Sequence, residues 1–153
     1  MKPLKKILLL SLLVGITSIA IASCKKKDDP GPTTTVISEP PPADSDTIGE
    51  GHFTSYDHGL SGSSILYKEG NPEVKKLRLY DFNMTAGPDV HVYLSKTTSY
   101  SAANVLEITK LTTGYTNSSI TFDVTSANYN SDYKYVLVYC VQYSSLFGYT
   151  ELK

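Results

Sequence analysis

Short segments rich in β-branched and aromatic residues, separated by turn residues, run through most of this chain after its first third. Such segments are residues 64–67, 77–82, 89–95, 119–124 and 133–143. Turn residues such as Gly, Pro, Asn and Asp lie between them. Only residues 99–108 suggest a helix, of one or two turns. The pattern predicts an all-β fold, a single β-sandwich or barrel-like domain over residues 48–153.

Alternation along two segments predicts which side chains face the core. In residues 89–95, Val90, Val92 and Leu94 alternate with more polar residues, so one face is expected in the core and the other in solvent. Residues 133–143 are apolar on both faces, as expected for a central strand that is covered on both sides.

The pattern of residues at the amino terminus predicts that the chain is exported from the cytoplasm. Three lysines in the first six residues precede an apolar run over residues 7–21, which fits a secretory signal and is short for a membrane-spanning helix. Residues 21–24, Ile-Ala-Ser-Cys, resemble the lipobox of bacterial lipoproteins, in which cleavage precedes the cysteine and lipid is attached to its sulfur. The resemblance implies a lipoprotein signal peptide over residues 1–23 and a lipid on Cys24. An ordinary signal peptide with Cys24 as a plain thiol is the alternative.

The composition of residues 24–47 predicts a disordered, lipid-anchored linker. They hold five of the eight prolines and three consecutive threonines, a composition that cannot bury enough surface to offset the entropy lost on ordering. The charged residues 27–29 resemble tracts that send some bacterial lipoproteins to the outer-membrane surface. We therefore expect an outer-membrane lipoprotein, on the periplasmic face or at the cell surface.

Charge bears on the partners. Removal of residues 1–23 leaves 11 basic residues against 15 acidic ones, a net charge near −4. Such a chain lacks the basic character of a nucleic-acid-binding protein. The expected partner is the membrane, through the amino-terminal lipid, and the sequence does not identify a protein or redox partner.

The predicted domain also resembles the DM13 family. The blocks that carry the resemblance are residues 51–53, 58–62, 77–83, 87–95, 135–140 and 147–148. The family motif residues among them are Gly87, Pro88, Asp89, Phe147 and Gly148. The resemblance implies a small all-β extracytoplasmic module with a role in electron transfer, through a cysteine that is a bare thiol or a ligand to a prosthetic group. Tyr139 precedes Cys140 at a position where the family usually has Trp.

Cys140 is the candidate redox residue, with two interpretations open. It is the only thiol left once Cys24 is acylated, so an intramolecular disulfide is excluded. It shares a strand face with Val136 and Val138, where a free cysteine is commonly a small buried hydrophobe. A redox role would need a thiolate stabilised by a cation or a metal.

Candidate metal or haem ligands accompany Cys140. Asp89 and His91 are two residues apart on a predicted strand, so their side chains project from the same face. His58 precedes a small turn and is expected to approach from a neighbouring loop. A cysteine with two histidines suits copper, and a cysteine with one histidine suits haem. Asp89 could instead bond turn amides, so the cofactor stays open.

The sequence leaves two functions from different classes. It contains no hydrolase or transferase motif, so an enzymatic role is at most that of a redox accessory protein. The first function is a lipid-anchored electron-transfer module that uses Cys140. The second is a non-catalytic cell-envelope binding or structural module with Cys140 in the core. In the second, a partner would be contacted by tyrosines predicted in loops, namely Tyr100, Tyr115, Tyr129 and Tyr149.

Overall fold

A computed structural model describes residues 45–125 and 127–153, which form one antiparallel sheet of eight strands. The strands are β1 (Asp46–Ser55), β2 (Ser61–Glu69), β3 (Val74–Met84), β4 (Val90–Ser95), β5 (Val105–Leu111), β6 (Tyr115–Val124), β7 (Tyr135–Cys140) and β8 (Ser145–Glu151). The predicted signal peptide, Cys24 and nearly all of the predicted linker lie outside these residues.

The order of the strands in the sheet is β5-β4-β7-β8-β1-β2-β3-β6. The two outermost strands, β5 and β6, approach each other, so the sheet curls into a nearly closed barrel. The described residues contain no helix, which confirms the predicted all-β class. In that part of the chain, accordingly, no helix has the length and apolar character needed to cross a bilayer.

The strand predictions were right for β2, β3, β4, β6 and β7, and the helix predicted over residues 99–108 was wrong. Residues 102–104 form a turn, and β5 begins at Val105. Pairing with β4 outweighs the weak local helical preference here, because Ser95 and Leu94 lie opposite Val105 and Leu106. β1 and β8 escaped prediction because their glycines and polar residues interrupt the apolar pattern.

The inner face of the sheet forms the hydrophobic core. Val90, Val92 and Leu94 of β4 are fully buried there, as their alternation predicted. Prominent core residues on other strands are Val136, Val138 and Cys140 of β7, Leu77 and Leu79 of β3, and Phe147 of β8.

β7 is also covered on its outer face. Leu137 belongs to that face, since it alternates with core residues, and yet it is 0 % exposed. Its cross-strand partners are Tyr93 on β4 and Tyr149 on β8. The prediction that this strand is covered on both sides is thus confirmed, with tyrosine rings as the outer cover.

β1 joins the two halves of the sheet. It pairs with β2 through residues 46–52 and with β8 through residues 53–55. Glycines permit the close approach of β1 and β8. A Cβ on Gly148 would lie 2.4 Å from the Thr54 carbonyl oxygen and 2.6 Å from Leu60 Cδ2, and one on Gly51 would lie 2.2 Å from the Glu151 oxygen.

We expect Gly148→Ala to destabilise the domain by about 1–3 kcal/mol, because the added methyl group forces the backbones of β1 and β8 apart. The free energy of unfolding, measured by urea denaturation, checks this. Thr113→Ala, in an exposed turn, is the control and should change the value by no more than about 0.5 kcal/mol. Equal stability of Gly148→Ala and wild type would contradict the packing described for β1 and β8.

Candidate functional site

Three connections meet at one end of the barrel and bring the motif residues together. The Tyr56 amide of the β1–β2 loop donates a 2.9 Å hydrogen bond to the Phe147 carbonyl on β8. The Thr85 amide, after β3, donates to the His58 carbonyl, also at 2.9 Å. The Val141 amide, after β7, donates to the Asp89 carbonyl at 2.9 Å. These backbone bonds fix the loops around the carboxyl end of β7.

Cys140 lies at this end of the barrel, inside the core. It is the last residue of β7, is 0 % exposed and carries a free thiol. Its cross-strand partners are Val90 on β4 and Ser145 on β8. The prediction that Cys140 shares the face of Val136 and Val138 is confirmed, since all three belong to the core cluster.

Gly87 packs over the same region. A Cβ at this position would lie 2.6 Å from Val90 Cγ2 and 3.3 Å from Phe147 Cζ. The absence of a side chain at Gly87 therefore lets the β3–β4 loop close against Val90, the residue opposite Cys140. Glycine in this motif is explained by close packing at the end of the barrel.

His58 covers Phe147 at this end. Its ring stacks on the Phe147 ring with centroids 3.8 Å apart and an interplanar angle of 24°. The backbone is left-handed, with φ of 61°, a conformation that is costly for a residue with a Cβ. A 2.7 Å hydrogen bond from the His58 amide to Asp57 Oδ1 helps to hold it. His58 is thus positioned on Phe147, a residue of the core cluster that also contains Cys140.

His91 and Asp89 lie on the outer face of the sheet. His91 Nδ1 is 2.8 Å from Glu107 Oε1, and His91 Nε2 is 3.0 Å from Asp89 Oδ1. This contact confirms that Asp89 and His91 project from one face. Because both ring nitrogens face carboxylates, only the protonated imidazole can donate to both.

Asp89 also accepts a 2.6 Å hydrogen bond from Lys110 Nζ. This bond, and after it the bond from His91, hold the pKa of the Asp89 carboxyl below its ordinary value. The side chain of Asp89 is therefore engaged by side chains of β4 and β5. The backbone carbonyl of Asp89, and not its carboxylate, accepts the hydrogen bond from the Val141 amide.

The structure separates His91 from Cys140. In the β4–β7 pairing, Val90 lies opposite Cys140 and His91 lies opposite Tyr139. Since neighbouring residues of a strand point to opposite faces, Cys140 is inside the barrel and His91 is outside it. The two side chains cannot approach the same ion. Both candidate histidines lie near this end of the barrel, but of the two only His58 is in ring contact with a residue of the core cluster, Phe147.

The side chains do not form a ready metal centre. Residues 45–125 and 127–153 contain no group of three or more His, Cys, Asp or Glu side chains that could hold a metal ion. On the outer face, the carboxylates of Glu107 and Asp89 contact opposite sides of the His91 imidazole. These possible metal ligands therefore do not converge on a common point. The copper set of one cysteine and two histidines, and a haem ligated by Cys140 and His91, therefore do not fit this arrangement.

A cluster of three tyrosines covers the outer face of the sheet next to Cys140. The sequence did not predict that these three residues lie together. We call Tyr93, Tyr100 and Tyr139 the outer tyrosine cluster. The Tyr100 and Tyr139 rings are parallel within 7° at a centroid distance of 4.2 Å, and Tyr93 meets Tyr100 edge-on at 5.1 Å. Burial, more than its neighbours, raises the pKa of Tyr93 well above the ordinary value. Its phenol stays protonated at neutral pH.

The tyrosines predicted to face a partner divide between two environments. Tyr100 and Tyr149 lie on the outer face, near β7. Tyr115 and Tyr129 pack against the core instead, and burial raises the pKa of both phenols. The prediction of a loop position was wrong for Tyr115 and Tyr149, which belong to β6 and β8, and the fold places the four tyrosines apart.

A polar row across β1, β2 and β3 was also missed. His52 Nδ1 lies 2.7 Å from Ser63 Oγ, and the Tyr80 hydroxyl, on the strand next to Ser63, donates to the Glu50 carboxylate. These contacts follow from cross-strand register, and β1 itself had not been recognised as a strand. No local sequence motif could have indicated them.

Comparison with known proteins gives one match. A family model described as Electron transfer DM13 matches residues 52–152, which is well over half of the chain and nearly the whole of the described sheet. Searches of the curated proteins and of the solved structures returned no match. The matched range contains Cys140, all three loops at its end of the barrel and both faces of β4. This chain belongs to the DM13 family.

Proposed function

We propose that this chain is a lipid-anchored, extracytoplasmic redox accessory module in which Cys140 is the redox group. The observation that carries the proposal is the match of residues 52–152 to a family described by electron transfer. Cys140 supports it as the one free thiol of the described residues, located where three loops meet at the end of the barrel.

The anchor is the second part of the proposal. The lipobox-like sequence that ends at Cys24 supports attachment of acyl chains to its sulfur. Two or more acyl chains hold a protein stably on a bilayer, whereas one gives only marginal binding. The domain would then work at the outer membrane, on the periplasmic face or at the cell surface, within reach of envelope redox proteins.

Access to Cys140 limits how such a module exchanges electrons. The thiol is fully buried, so water-soluble oxidants do not reach it in the closed structure. At this end of the barrel, the β1–β2 loop places His58 on Phe147, a residue of the same core cluster as Cys140. We propose that a bound group, if one is present, uses Cys140 with His58 and not with His91.

The burial of Cys140 favours a second candidate function. In a non-catalytic envelope binding or structural module, Cys140 is a packing residue and the outer face of the sheet is the functional surface. Tyr56, 62 % exposed and in ring contact with Tyr149, supports this candidate because tyrosine rings offer large contact areas at low entropic cost.

We expect Cys24→Ala to abolish incorporation of radiolabelled palmitate in cells, because the thioether has no substitute at this position. Cys140→Ala is the matched control and should retain the label, since its thiol is buried. Equal labelling of wild type and Cys24→Ala would overturn the lipoprotein part of the proposal.

We expect the native Cys140 thiol to react with a disulfide reagent only after denaturation, because it has no exposed surface. Cys140→Ala should lower the free energy of unfolding by about 1 kcal/mol, since the sulfur is about the size of a methyl group. Cys140→Ser should cost more, because a buried hydroxyl needs a hydrogen-bond partner. Rapid reaction of the native thiol would contradict its placement in the core.

The redox role itself is tested on the full chain purified from membranes in detergent. We expect a visible absorption band or a reversible voltammetric wave that Cys140→Ser removes. Val138→Thr is the matched control, because it also places a hydroxyl on the inner face of β7 and leaves the thiol intact. Absence of both signals from the wild-type protein would decide for the second candidate.

A further inference from the structure

The Tyr100–Tyr139 pair differs from the other tyrosine contacts of the described residues. Its rings are stacked, with centroids 4.2 Å apart and planes parallel within 7°, so their π-systems lie against each other. The other pairs of tyrosines in ring contact have centroids at least 5.1 Å apart and planes tilted by 41° or more. Those pairs are tilted or edge-on, so the faces of their rings do not lie against each other as they do in the Tyr100–Tyr139 pair.

Parallel stacking of the two rings has a consequence for one-electron oxidation. When one ring of a parallel pair loses an electron, the positive charge is shared with the second ring, and oxidation becomes easier than for an isolated phenol. Tyr93 adds an edge-on contact to Tyr100 at 5.1 Å and is only 4 % exposed. The pair is therefore shielded on one side from reagents that quench radicals.

The location of the pair connects it with the electron-transfer description of the family. Tyr139 is the residue before Cys140 on β7 and lies opposite His91 on β4. The pair thus lies directly across the sheet from the buried thiol. Tyr100 is partly exposed, in the segment between β4 and β5, so one member of the pair borders on solvent.

We propose that the Tyr100–Tyr139 pair is a one-electron relay on the outer face of the sheet. A metal-centred one-electron oxidant removes one electron from the pair, the phenolic proton of Tyr100 passes to water, and a neutral phenoxyl radical remains. One electron from a reduced metal centre and one proton from water restore the phenol. This proposal extends the redox function proposed above and does not require oxidation of Cys140.

Flash oxidation of the detergent-purified full chain tests the relay. Photogenerated ruthenium(III) tris-bipyridine is the oxidant, and the tyrosyl radical is followed by its visible absorption and by electron paramagnetic resonance. We expect a slowly decaying radical in the wild type, with slower formation in D2O because a proton leaves together with the electron. Tyr100→Phe keeps the ring and removes the phenol, so it should lose the slowly decaying component.

Two further variants make the result specific. Tyr139→Phe leaves the Tyr100 phenol with a poorer stacking partner and should shorten the lifetime of the radical. It also carries the test if circular dichroism shows that Tyr100→Phe is misfolded. Tyr143→Phe is the control, because Tyr143 is 69 % exposed and should be readily oxidised without contributing to the slow component.

The opposite pattern overturns the relay. A slow component that survives in both Tyr100→Phe and Tyr139→Phe, or that falls equally in Tyr143→Phe, would show that the pair has no special role. Cys140→Ser should retain the slow component. A radical retained in Cys140→Ser would show that the relay does not need the thiol. The Cys140 proposal and the relay proposal can therefore fail independently of each other.

Discussion

The pairing of β4 with β7 is the constraint on which the rest of the site depends. It sets Val90 opposite Cys140 inside the barrel and His91 opposite Tyr139 outside it. A shift of one residue would exchange the faces of every side chain on the shifted strand. The core therefore enforces the register, and the register decides which side chains can act together. The thiol has apolar neighbours within the barrel, whereas the charged and aromatic groups collect on the opposite surface.

This division gives the two faces different chemistry. Inside, Gly87 packs against Val90 and Phe147 at the end of the barrel, and His58 of the β1–β2 loop stacks on Phe147. Outside, the carboxylates of Asp89 and Glu107 hold His91 from two sides, and Tyr93 lies beside it. Electron transfer by the thiol and electron transfer by tyrosines are therefore separate possibilities in this fold, with separate experimental signatures.

The sequence predicted those parts of the fold that depend on local pattern. The alternation in residues 89–95 indicated the buried face of β4, and the continuous apolar run indicated a strand covered on both sides. The local pattern did not predict β1 or β5, because cross-strand pairing decides the conformation of these strands more than their own composition does. For the site, spacing correctly placed Asp89 and His91 on one face. The spacing of residues could not show that the Cys140 side chain lies on the opposite face of the sheet. That placement depends on the register between strands about fifty residues apart.

The adjacency of β1 and β8 has a consequence for when the fold can form. The two halves of the sheet are joined where residues 53–55 of β1 pair with β8, the eighth strand in chain order, and the Glu50 and Lys153 backbones exchange two further hydrogen bonds beside this pairing. Contacts between such distant parts of a chain form slowly, because a long loop must close first. During synthesis the sheet thus stays open until β8 has followed the other seven strands. For a chain that crosses a membrane before it folds, as the proposed export requires, this late closure preserves an unfolded, translocatable state.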